Sequence, residues 1–205
     1  MRLTRSVSIA AFCLALLFVT TMTIIRAQPY DDHTIRAILL PSDCSAPCFI
    51  GIEPGLTQSK EAYALLEANP WMGDMNSHID SGCCTVALNW QWNGKQPAHL
   101  ANGNNTVYFS YNASTGIQTV QNIALHTKIP AGYAILVLGA WPDSAALQGL
   151  DHAYVEVFYP QQSVRLTTSV SCPLSRWQLW EAPMTLEFNR NGWSMSGMKH
   201  IGEVC

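Results

Sequence analysis

Basic residues are scarce in this sequence, and their scarcity narrows the choice of partners. Of the 11 Lys and Arg, three stand in the first 26 residues (Arg2, Arg5 and Arg26), and all 14 Asp and Glu lie beyond Tyr30. The rest of the chain therefore sets 8 bases against 14 acids, a net charge of −6. Nucleic-acid binders neutralise phosphates with a basic patch, and polybasic segments hold proteins on anionic lipid. Neither pattern occurs, and no nucleic-acid partner is expected.

Signatures of catalysis are missing as well. The six histidines, at 33, 78, 99, 126, 152 and 200, never fall within a helical turn of one another. The paired histidines of a zinc-protease helix are therefore lacking. The stretch "WSMSGMK" holds Ser196-Gly197 without the first glycine of a nucleophile elbow, and reads as a terminal loop. No Gly-rich loop opens a helix to cradle a phosphate. "DHAYVEV" brings Asp151, His152 and Glu156 close in sequence, with His152 and Glu156 on one strand face; a solvated face explains them best. No catalytic, cofactor-binding or metal-ligating residue is assigned, and no cofactor is expected.

What is present begins with the N-terminus. Arg2 and Arg5 precede "SVSIAAFCLALLFVTTMTII", Ser6 to Ile25, which carries no charge. Its length matches the ~20 residues of a membrane span better than the shorter core of a cleaved signal peptide. A membrane partner is thus expected through Ser6 to Ile25, with the body on the extracytoplasmic side. A cleaved leader and a secreted body are the alternative. Cys13 follows Phe12, where a lipid-attachment site would have a small residue.

Beyond Cys13 six cysteines remain: Cys44, Cys48, Cys83, Cys84, Cys172 and Cys205. An even set in an exported chain reads as disulfides. Cys44 and Cys48 have three residues between them, not the two of a redox motif. Cys83 and Cys84 are neighbours, which on a strand point to opposite faces and do not share a metal easily. Cys44 pairs either with Cys48 or with the 83/84 pair. A Cys172–Cys205 bridge would hold the chain end.

The body reads as helices and alternating strands. Pro54-Gly55 is a turn, Thr57 a suitable N-cap, and Ala62, Leu65 and Leu66 follow helical spacing up to Asn69-Pro70. "CTVALNWQW" alternates Val86, Leu88, Trp90 and Trp92 with polar or small residues, so these tryptophans belong to a core face. "TVYFSYN" and "GIQTVQNIAL" continue as strands. "PAGYAILVLG" is a short apolar helix, after which "AYVEVFY", "SVRLTTSV", "RWQLW" and "MTLEF" look like strands. Trp71, Trp141 and Trp193 sit near turns, where half-buried packing against helix ends is expected and an exposed aromatic patch for a glycan or a protein is the alternative. Asn104-Asn105-Thr106 and Asn112-Ala113-Ser114 match the glycan acceptor pattern, but read as turn chemistry.

The order of elements repeats. "AYALLEANP" (62–70) and "AILVLGAWP" (134–142) share four of nine positions at an offset of 72. The fold expected is α+β: two tandem helix-plus-antiparallel-sheet repeats behind an N-terminal membrane segment. The divisions are 1–27 signal anchor or signal peptide, 28–43 spacer, 44–126 first repeat and 127–205 second repeat.

The residues Leu138, Gly139, Pro142, Asp143, Tyr159 and Pro160 resemble the repeat unit of the β-lactamase-inhibitor-protein-like fold, shared by SmpA/OmlA-type lipoproteins. The run Cys44, Ala46, Pro47, Cys48, Gly51, Ile52, Pro54, Gly55 and Thr57 resembles a segment of uncharacterised exported bacterial proteins. The resemblance implies a scaffold for protein contacts and no catalytic residues. A non-catalytic, membrane-anchored binding or scaffold protein is the function expected. An extracytoplasmic enzyme, either a thiol oxidoreductase or a hydrolase, is the alternative.

Overall fold

The computed structural model describes residues 2–27, 33–42, 44–45, 47–79, 85–112, 114–139, 145–148, 152–173 and 175–190. Two compact units emerge, Met1–Asp32 and His33–Cys205.

The first unit contains one helix, α1 (Arg2–Ala27). Thr20, Thr21 and Thr23 turn their hydroxyls back onto carbonyls of the preceding turn, at Leu16, Leu17 and Val19. Among the described residues no helix is long and apolar enough to cross a membrane. The expected membrane segment at Ser6–Ile25 is thus not found as a spanning helix among the described residues. The side chains described on α1 are those of residues 11–23. The flanking parts of Ser6–Ile25 lie outside the residues whose side chains are described.

The second unit is built on one sheet of eight strands. The helices are α2 (His33–Leu39), α3 (Ser59–Ala68), α4 (Ala131–Leu138) and α5 (Arg176–Glu181). The strands are β1 (Met72–Ile79), β2 (Thr85–Trp92), β3 (Asn105–Asn112), β4 (Ile117–Pro130), β5 (Ala145–Gln148), β6 (His152–Tyr159), β7 (Val164–Ser171) and β8 (Pro183–Phe188). Their order is β1-β2-β3-β4-β8-β7-β6-β5, and every neighbouring pair is antiparallel.

This topology overturns the expectation of two tandem helix-plus-sheet repeats. The physical reason lies in β4. It runs for 14 residues, takes β3 on one edge and offers the other to β8. Two separate sheets would leave two rows of unpaired N–H and C=O groups. Pairing Ile123 with Phe188 and Leu125 with Leu186 satisfies both rows and makes one apolar face.

That face carries the core. Trp90, Phe109, Ile123, Leu125, Leu166, Leu186 and Phe188 are buried, together with Ile35 and Leu39 of α2 and Leu66 of α3. Phe49 stacks on Phe188 at 6.3 Å and meets the Trp92 ring edge-on, and Tyr63 stacks on Phe109 at 6.1 Å. Aromatic pairs of this kind add about 0.5–1.5 kcal/mol beyond area burial. Trp90 and Trp92 are core residues, packed edge to face at 5.8 Å.

Two local expectations need correction. The stretch "RWQLW" is the helix α5, not a strand. Thr57 does not cap α3, whose N-cap is Gln58; its hydroxyl accepts the Glu53 N–H at 2.8 Å. That bond closes the Pro54-Gly55 turn. Gly55 N–H donates to Val120 at 2.7 Å and Val120 N–H to Thr57 at 2.9 Å, which pins the start of α3 to β4.

Candidate functional site: the α4–α5 ridge

Helix α4 follows directly from β4 and is apolar nearly all round. Ala131, Gly132 and Ala134 are buried, while Leu136 is 61% exposed. The helix ends at Gly139, whose φ of 101° suits a residue without a side chain. The Tyr159 hydroxyl donates to the Gly139 carbonyl at 3.2 Å and so holds this end against β6.

Burial pushes the Tyr159 phenol up to about 12 from 10.0. The fold thus prefers the neutral phenol. Above pH 10 the unfolded chain loses this proton first, so the contribution to stability is complete below pH 10 and is lost as pH rises towards 12. Tyr159→Phe should remove this alkaline loss and cost about 1 kcal/mol at neutral pH through the missing hydrogen bond. Urea titrations at neutral and alkaline pH measure both effects.

Helix α5 owes its existence to its first turn. Ser175 Oγ accepts the Gln178 N–H at 3.1 Å, and the Gln178 amide oxygen accepts the Ser175 N–H at 3.1 Å. This capping box satisfies two N–H groups that a six-residue helix would otherwise expose. Leu179 and Ala182 point inward and are buried. Ala131 N–H donates to Ala182 at 2.9 Å, which joins α4 to the end of α5.

Trp177 and Trp180 are three residues apart and share the outer side of α5. Trp177 is 72% exposed and Trp180 37%. The Trp180 ring lies directly over Gly132, where a methyl group would come within 2.1 Å of Cε2. Glycine is therefore required here by close approach of a ring. Gly132→Ala should push Trp180 outward at a cost of about 1–3 kcal/mol, read as a shift in the denaturation midpoint.

The ridge thus presents Leu136, Trp177 and Trp180 to solvent on helices fixed from beneath. Held aromatic side chains of this kind dominate the energetics of protein contacts. Sequence reasoning missed α5 because "RWQLW" alternates like a strand. The signal that finds it is Ser-x-x-Gln at Ser175–Gln178.

The opposite, open face of the sheet is polar and largely self-paired. Arg165 bonds Glu187 at 2.6 Å and Glu156 at 3.4 Å. Thr106 donates to Asn89 at 2.7 Å, and the Thr185 hydroxyl stands 3.4 Å from His126 Nδ1. His152 and Glu156 do share this face, but Glu156 is committed to Arg165. Asp151 lies outside the described residues. Among the described residues no group of three or more His, Cys, Asp or Glu could hold a metal ion.

The cysteines resolve in part. Cys44 and Cys48 form a disulfide with Cα atoms 6.1 Å apart. Cys48 is wholly buried. The chain then turns tightly through Ile50 and Gly51, both with positive φ, so that Phe49 and Ile52 exchange hydrogen bonds of 3.0 and 2.8 Å. The segment is a clasp that places Phe49 in the core. Replacing both cysteines by serine should cost about 2 kcal/mol, the chain-entropy value for so short a loop. A shift of the urea midpoint with unchanged slope checks it. Cys172 is also disulfide-bonded. Cys83, Cys84 and Cys205 lie outside the described residues, as do Ser196, Trp141 and Trp193. Trp71 is half-buried.

In the two glycan-acceptor patterns the acceptors Asn104 and Asn112 are both exposed. Asn112 Oδ1 accepts the Ser114 N–H at 3.0 Å and its hydroxyl at 2.6 Å, while Asn105 and Thr106 are buried in β3. No protein-family model, curated protein or solved structure matches the chain.

Proposed function

We propose that this chain is an exported, non-catalytic binding protein that holds a protein partner on its α4–α5 ridge. The observation that carries this reading is the pair Trp177 and Trp180, exposed on a capped helix and backed by buried Leu179 and Ala182. Large aromatic residues on a surface cost solubility, and contact with a partner recovers that cost. The partner surface is apolar, because Leu136 and the two indoles offer mostly hydrocarbon.

Export is supported by the Cys44–Cys48 disulfide and the bonded Cys172, since such bonds persist in oxidising spaces. Residues 1–27 serve as the export leader. The resemblance of Cys44–Thr57 to exported bacterial proteins supports the same placement.

A photo-crosslinking residue at position 177, with a control at Thr167 on the open face, tests the reading in intact cells. One discrete crosslinked protein from 177 and none from 167 is expected. Equal labelling from both positions would sink it. Cell fractionation with N-terminal sequencing tests export, and recovery of reduced protein in the cytosol would refute that part.

A further inference from the structure

Among the described residues, β1 pairs with β2 only, so its other edge is open. Open edges are usually blunted by Pro, Lys or a very short strand. β1 uses none of these: its eight residues, MGDMNSHI, contain neither Pro nor Lys. A bulge between Met72 and Met75 ends the regular part, and Gly73 lies so near Gln91 that a methyl group would meet its carbonyl oxygen at 2.9 Å. The available edge is therefore Asp74–Ile79. Asp74, Asn76, Ser77 and His78 are exposed along it, while Met75 packs on the core and keeps the strand in place.

We infer that this edge pairs with the same edge of a second copy, antiparallel and centred on Asn76. The evidence is the spacing of charge. In such a pair each Asp74 faces His78 of the partner subunit, and each Asn76 faces its own counterpart on the two-fold axis. A carboxylate then stands opposite an imidazole donor at both ends, with an amide pair between. Cross-strand pairs of opposite charge are favourable, and like charges directly opposite are not. A register slipped by one residue destroys the match, because Asp74 would then face Ser77 or Ile79, and a pair centred on Met75 or Ser77 would set Asp74 opposite Asn76 or Asp80. The two-fold contact is isologous and closed, so it stops at two copies instead of growing into fibres. Only a short stretch of each edge pairs, so the dimer is weak and concentration-dependent. This surface is independent of the α4–α5 ridge, and neither reading depends on the other.

The test uses the full chain with its disulfides intact. Sedimentation equilibrium should show a monomer–dimer equilibrium. Asn76→Lys places two ammonium groups opposite each other on the axis and should weaken association at least 10-fold. Asp74→Lys should do the same, while the exchange Asp74→His with His78→Asp preserves the match and should restore association to within about 3-fold. All three substituted positions are exposed on an edge, so far-UV circular dichroism should not change. Asn76→Cys supplies a second readout, since directly opposed residues lie within disulfide reach. It should give a covalent dimer on mild oxidation, and Asp74→Cys alone should not. A monomer at all concentrations overturns the inference. So does a dimer insensitive to Asn76→Lys, or one crosslinked equally by Asp74→Cys.

Discussion

Phe188→Ala is expected to destabilise the body by about 3–5 kcal/mol and to do so across the whole sheet at once. Phe188 is wholly buried, faces Ile123 of β4 and Val164 of β7, and stacks on Phe49 at 6.3 Å. It therefore touches both sides of the β4–β8 seam and the clasped segment after Cys48. A domain of this kind holds ~5–15 kcal/mol in total, so the loss is a large share. Tryptophan fluorescence follows the β2 side through Trp90 and Trp92, and far-UV circular dichroism follows all strands. Both should move together to one lower denaturant midpoint. Two transitions, with only one of them shifted, would mean that the strand sets on either side of the seam fold independently, and the continuous sheet would not be the cooperative unit.

Trp177→Ala and Trp180→Ala are expected to weaken partner binding about 30-fold or more each. This follows from the ~2 kcal/mol or more that central aromatic contacts lose on truncation. The two variants should differ in stability. Trp177 is mostly exposed, so its loss should change folding by less than about 0.5 kcal/mol. Trp180 covers Gly132 and joins α5 to α4, so its loss should cost about 1–3 kcal/mol. The useful comparison is therefore Trp177→Ala, which separates binding from folding. Full affinity in that variant, measured with the partner crosslinked at 177, would remove the ridge from the interface. Gly132→Ala gives an intermediate case, in which the ring is present but displaced.

The Glu156–Arg165–Glu187 arrangement makes the open face a poor docking surface. Its charges are engaged with one another across β6, β7 and β8. A partner would have to break those contacts before making its own, and desolvating a charged cluster offsets what it gains. The ridge has no such internal competition, because its apolar atoms face water.

Sequence alone determined the elements whose periodicity is strong. The alternation Val86, Leu88, Trp90, Trp92 makes β2, and both tryptophans are buried as that pattern requires. The apolar run ending at Gly139 makes α4, and the even set of cysteines beyond Cys13 announced disulfides. β1 was not legible, because MGDMNSHI has neither alternation nor β-branched residues apart from its last; the strand forms by pairing with β2, a long-range contact. Only the tertiary structure decided that β4 and β8 join, since hydrogen bonding between strands leaves no trace in local side-chain pattern. The same limit hid the site. Strand and helix periods cannot be separated over five residues, and the choice for "RWQLW" fell to a side-chain cap and to the room that Gly132 leaves for a ring.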